Sequence, residues 1–182
     1  YEIELGELAD FVMSYQVNLL GLPFPFINYD AATMFNSGYQ SYIDTERNRE
    51  GFRAYKSGLF VWKTTILEDL LNRKTEDGKK TLDFYAAIYR VTEILEFLKR
   101  LYEIFPGVDY VKISIRLTSC RDRVLTSSNL NTPVMLGMAS EEDTIEWEQI
   151  LQVVELRAAA DATAARRWSA AGPGGRFAGP GG

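Results

Sequence analysis

TLDFYAAIYRVTEILEFLKRLYEIFPGVDYVKISIRLT, residues 81–118, is the stretch that decides the fold class. In its first part Ile88, Val91, Leu95, Leu98, Tyr102 and Phe105 step alternately by three and four, which lines up one face of an α-helix. Glu93, Glu96, Lys99, Arg100 and Glu103 take mostly outward positions. With Thr81 as N-cap and Pro106-Gly107 as terminator, the spacing predicts a helix over 81–105. Beyond it the period drops to two. Val111, Ile113, Ile115 and Leu117 face one way, and Lys112, Ser114, Arg116 and Thr118 the other, as in a half-buried strand over 109–118. A long amphipathic helix next to such a strand points to an α+β protein.

The flanks extend this reading. Upstream, Leu5, Leu8, Val12, Tyr15 and Leu19 predict an amphipathic helix over 3–20, stopped by Gly21 and Pro23. Residues 21–50 are rich in aromatics but broken by Pro23, Pro25 and Asn36-Ser37-Gly38, and read as a long packed loop with at most a short strand or helical turn. GFRAYKSGLFVWKTTI (51–66) reads as a β-hairpin turning at Ser57-Gly58. A short helical turn and a charged loop around Gly78 follow. Downstream, 122–127 is expected to return beside the 109–118 strand through Arg121-Asp122. Residues 143–154 read as a strand with Ile145, Trp147, Leu151 and Val153 on one face and Glu146, Glu148 and Gln152 opposite. The expected architecture is a mainly antiparallel sheet packed with one long helix and an N-terminal helix, in one domain over 1–158. Past it, 159–182 is Ala/Gly/Pro-rich and expected to be a disordered tail.

Composition narrows the chemistry. Hydrophobic content of 46% over 182 residues suits a globular chain. Histidine is absent, which removes the commonest general base and transition-metal ligand. The single cysteine, Cys120, allows no intrachain disulfide and no cysteine-based zinc site; it fits a reducing, cytoplasmic setting. The longest uncharged run, Phe11 to Tyr29, holds two prolines and several polar residues, so it does not read as a membrane span. Four arginines against one aspartate in residues 157–182 leave the preceding 156 residues with eight excess negative charges, a poor footprint for nucleic acid.

Each candidate site has a structural alternative. GFRAYKS (51–57) puts Tyr55 where a phosphate-binding loop needs its second glycine, so the hairpin reading stands. Cys120 is flanked by Arg121 and Arg123, whose charge favours a thiolate, but it has no histidine to activate it and reads as a small buried residue. The acidic run Glu141, Glu142, Asp143, Glu146 and Glu148 reads as a solvated face rather than a cation site. Lys112, Arg116, Arg121 and Arg123 form the one local basic cluster in the acidic body, either a small nucleic-acid contact or partners for nearby carboxylates. Phe24, Phe26, Tyr29, Phe35, Tyr39 and Tyr42 are either a partner surface or a plug for one side of the sheet. No catalytic residue, metal ligand or cofactor site is assigned.

Several segments in order, LPFPF (22–26), GFRAYKSGLFVW (51–62), DFYAAIYRVTEILEFLKRLYEIF (83–105), YVKISIRLTSCRDRVL (110–125) and IEWEQILQVVELRA (145–158), resemble the region that follows the AlbA-type DNA-binding domain in bacterial Schlafen-like proteins. The resemblance implies an upstream nucleic-acid-associated domain, with this chain as its accessory C-terminal module, and it transfers no functional residue. The expected function is therefore a non-enzymatic accessory or protein-interaction domain. Its partner would be the upstream domain or another protein, with no membrane. The alternatives are an independent nucleic-acid-binding module using the basic face and, behind it, a small-molecule enzyme using carboxylates.

Overall fold

In a computed structural model the protein is described over residues 2–46, 48–127 and 138–156; the expected tail over 159–182 lies outside the described residues. The elements run α1 (Leu5–Ser14), β1 (Thr33–Phe35), β2 (Gly38–Asp44), β3 (Arg49–Tyr55), β4 (Phe60–Thr64), α2 (Leu67–Leu70), β5 (Thr81–Asp83), α3 (Phe84–Leu101), β6 (Tyr110–Thr118), β7 (Val124–Thr126) and β8 (Thr144–Gln152). This is an α+β fold with antiparallel sheets, as the sequence predicts. β1 to β4 form a four-stranded antiparallel meander in chain order. β6 pairs antiparallel with β8, and β5 pairs parallel with β7.

The predicted hairpin is β3–β4, with Gly58 at its turn in the left-handed region (φ 87°). The stretch read as a loop over 21–50 instead contains β1 and β2. Tyr39 and Ser41 are buried on the inner face of β2, while Tyr42 stands outside. Gly38 must be glycine, because a Cβ there would collide with the Ala54 carbonyl and the Phe35 ring. Gln40, Ser41 and Asp44 in a seven-residue strand hide this alternation from a hydrophobic reading.

α1 is shorter than the predicted 3–20 helix. Val17 exchanges both backbone hydrogen bonds with Phe24 (2.8 and 2.6 Å), and the Asn18 carboxamide accepts the Gly21 N–H at 2.9 Å. These partners replace the next helical turn. α3 is capped by Asp83 rather than Thr81. The Asp83 carboxylate accepts the Tyr85 and Ala86 N–H groups at 2.9 and 3.0 Å, and Thr81 lies in β5.

The predicted face of the helix is buried only in part: Leu98 and Phe105 are buried and Leu95 and Tyr102 pack against the core, as expected. Glu93, Phe97, Leu98 and Leu101 are buried, whereas Ile88 is 45% exposed and Val91 lies at the surface. The rotation follows from aromatic packing. Phe97 meets Phe60, Phe24 and Phe11 at ring separations of 4.9, 5.8 and 6.3 Å. One apolar cluster runs from Ile3 through α1, the Phe24 loop, β2 to β4 and α3 to β6 and Leu156.

β6 presents Val111 and Ile113 to this core, as predicted. β7 does not return beside β6. Its partner is β5, with Thr81 to Asp83 opposite Val124 to Thr126, and the neighbour of β6 is β8.

Candidate interaction surface

The β6–β8 ribbon holds four of the sequence-predicted site residues, Lys112, Arg116, Glu146 and Glu148. Its register runs from Tyr110 opposite Gln152 to Thr118 opposite Thr144, so alternate residues of the two strands share a face. On the first face Val111, Ile113, Ile115 and Leu117 lie across from Leu151, Gln149, Trp147 and Ile145. Only one end of this face is sealed by the core. At the other end Ile145 and Trp147 are 48% and 43% exposed, so among the described residues an apolar surface is left uncovered on a two-stranded unit.

The opposite face is charged. Lys112 Nζ meets Glu148 Oε1 at 2.9 Å, and Arg116 pairs with Glu146. These side chains are more than half exposed, so each pair adds little stability. Both cations nevertheless face protein carboxylates. Arg121 is exposed on the turn beside Asp122, where its backbone bridges to Ser140.

Arg123 does not belong to this surface. It is 3% exposed, and its guanidinium donates to Thr81 O (2.7 Å), Asp69 Oδ2 (2.8 Å) and Ser119 O (3.3 Å). It ties α2, β5 and the end of β6 together. The expected four-cation face thus loses one member, because burial and three acceptors hold Arg123 inside.

Cys120, also buried, donates its S–H toward Leu117 O. Burial pushes its thiol up, against the opposing pull of Arg123, so the thiolate needed for nucleophilic chemistry is disfavoured. The carboxylates Glu141, Glu142 and Asp143 are exposed ahead of β8.

The loop aromatics separate into two groups. Phe24 is fully buried, edge-on to Trp62 and Phe97, and Tyr39 is buried against Phe52. As candidates for a partner surface both are corrected: they are core. Phe26 and Phe35 are half-buried, the latter edge-on to Tyr55 at 5.5 Å. Tyr29 and Tyr42 are 71% and 61% exposed.

Sequence reasoning missed a charged group inside the core. Glu93 is fully buried. Its Oε1 accepts the Leu19 and Leu20 N–H groups at 2.7 and 3.0 Å, and its Oε2 lies 2.9 Å from Arg90 Nη1. The Arg90 guanidinium stacks over the Phe24 and Trp62 rings at 5.7 and 5.6 Å. Nearby, Glu50 accepts the Phe26 N–H at 3.0 Å, and burial raises its carboxyl above the usual range although Arg90 and that N–H pull it down. The available signal was positional. Arg90, Glu93, Phe97 and Leu101 repeat at three and four, a second stripe beside the apolar one. The group satisfies backbone donors of an irregular loop, which is a structural task.

A cleft of about 410 Å³ opens where α3 leads into β6, lined by Tyr102, Phe105, Tyr110 and Val153 among others, with Glu103 and Asp109 as its carboxylates. Among the described residues no three acidic or cysteine side chains gather as metal ligands, and no helix is long and apolar enough to cross a membrane. Comparison of the chain with protein-family models, curated protein sequences and solved structures finds no match.

Proposed function

We propose that this chain is a non-catalytic protein-interaction module, an accessory part of a larger cytoplasmic, nucleic-acid-associated protein of the bacterial Schlafen-like, AlbA-type kind. The observation that carries the interaction reading is the uncovered apolar end of the β6–β8 ribbon. Ile145 and Trp147 remain 48% and 43% exposed on a sheet that has two strands among the described residues, and such a unit gains stability from further cover. The larger nucleic-acid-associated context rests on the segment resemblance. For this chain itself, Lys112 and Arg116 already face carboxylates, Arg123 is buried, and the residues ahead of 157 are acidic in sum, all of which weigh against phosphate contact.

The test is fluorescence anisotropy with single- and double-stranded oligonucleotides, using the chain without residues 157–182 so that its four arginines do not contribute. No binding is expected near about 150 mM salt, where three exposed cations give too shallow a salt dependence to sustain affinity. Micromolar binding lost in a Lys112→Ala/Arg116→Ala/Arg121→Ala variant would establish an independent nucleic-acid module instead. Ile145→Ser/Trp147→Ser should leave the thermal midpoint within about 2 °C of the parent, since exposed side chains contribute little to stability. A larger fall means that the patch is core and the reading is wrong.

A further inference from the structure

We propose that the outer edge of β8 accepts a strand from another protein, one whose apolar residues alternate with lysine or arginine. This rests on the interaction reading above and names the kind of partner.

The backbone comes first. Among the described residues β8 pairs only with β6. Its other side therefore offers the N–H and C=O groups of alternate residues along the nine-residue strand, apart from the Gln152 N–H, which Glu155 Oε2 accepts at 2.9 Å. Such an edge is of the kind used for strand addition.

The side chains then specify the occupant. A strand added to β8 sets its residues directly across from those of β8, roughly 5 Å away. On one face it meets Ile145, Trp147, Gln149 and Leu151, and on the other Glu146, Glu148 and the exposed Ile150, the two glutamates following Glu141, Glu142 and Asp143. Apolar side chains fit the first row and cations the second.

The chain already carries one strand of this pattern on the inner side of β8. It is β6, VKISIRL over 111–117, with Lys112 on Glu148 and Arg116 on Glu146. Each of those contacts engages Oε1, and a carboxylate has a second oxygen for a second cation.

A second copy fits less well. Two β8 strands laid antiparallel bring the Glu146/Glu148 row against itself, and two β6 strands do the same with Lys112 and Arg116. Like charges in that position are destabilising. Only β8 against the β6 of another copy matches charge, and that pairing is head-to-tail and leaves open edges at both ends.

The experiment uses the full chain and a fluorescein-labelled peptide with the β6 sequence YVKISIRLT (110–118). Its control is the same peptide with both cations changed to glutamate. At about 50 mM salt, where exposed charges are weakly screened, the basic peptide should raise anisotropy and slow amide exchange over 144–152. Protection over 110–118 should stay unchanged, which distinguishes addition from displacement of β6, and the acidic peptide should do neither. Glu146→Lys/Glu148→Lys should weaken binding about tenfold, as two cross-strand charge pairs turn repulsive. If that variant fails to fold by circular dichroism, Glu146→Gln/Glu148→Gln replaces it, with a smaller loss in the same direction.

Equal binding by the charge variant, binding without protection of β8, or no binding at about 1 mM peptide (a free energy weaker than about −4 kcal/mol) each overturns the proposal. So does concentration-dependent growth in light scattering that the charge variant abolishes, because the occupant is then a second copy. Failure of the peptide leaves the broader reading standing if Ile145→Ser/Trp147→Ser keeps its thermal midpoint and the chain still binds no oligonucleotide.

Discussion

Arg123 places three donors on Thr81 O, Asp69 Oδ2 and Ser119 O while only 3% exposed. Removing the guanidinium leaves two carbonyls without this donor and Asp69 with only Lys80, whose Nζ lies 3.7 Å from Oδ1, so Arg123→Ala should cost about 3 kcal/mol in guanidinium unfolding. Lysine should not restore it, since one ammonium cannot reproduce the planar fork. A loss under about 1 kcal/mol would show that water replaces the side chain without penalty. Arg121 and Arg123 look alike in sequence. What separates them is Asp69, 54 positions earlier, and no local pattern reports that distance. Glu50 gives a prediction in pH. Its folded carboxyl lies above the ordinary 4.5, held up by burial and Glu93 against Arg90 and the Phe26 N–H. The native state therefore keeps a proton that the unfolded chain has released, and stability falls as pH rises through the window just above 4.5. Glu50→Gln keeps an acceptor for Phe26 and removes the titration, so its thermal midpoint should gain on the parent across that window. A constant difference from pH 4 to 7 would contradict this. Cys120 should resist a thiol reagent in the native state and react in denaturant.

At the scale of elements, α3 was legible as a helix and its buried face in part, Leu98 being common to the expected and the observed stripe. The 88/91/95/98/102 stripe is the more apolar one, yet the core takes the 93/97/98/101 face because Phe97 fits among Phe11, Phe24 and Phe60. Phe97→Ala should cost about 3–5 kcal/mol. Ile88→Ala should stay within about 0.5 kcal/mol, as exposed positions do. Chemical denaturation of the two variants checks the assignment, and the reverse order would restore the apolar face. The β3–β4 hairpin, β6 and β8 were legible because alternation and turn residues are local signals. β2 was not, because Ser41 occupies its inner face to pair with Asn28 and Gly38 is required by the close approach of Ala54. The parallel β5–β7 pair is likewise invisible to local reading, with three residues in each strand.

At the scale of the molecule, the α+β class and its antiparallel sheets followed from two periodicities, whereas the candidate surface was legible only in part. Lys112, Arg116 and Trp147 were each visible in the sequence, but their joint placement depends on the pairing of residues 110–118 with 144–152. Native-state hydrogen exchange should rank the parts. Amides of β3 and the buried half of α3 should exchange through global unfolding. Those at the Thr118/Thr144 end of the ribbon should exchange through local opening at lower free energy, and equal protection throughout would contradict the uncovered end. The single apolar cluster also has a temporal meaning. Ile3 near one end of the described chain and Leu156 near the other are both buried in it, 1% and 0% exposed. During synthesis the cluster stays incomplete until β8 and Leu156 have left the ribosome, so a nascent chain stalled before β8 should be cut more readily by protease than one released past Leu156.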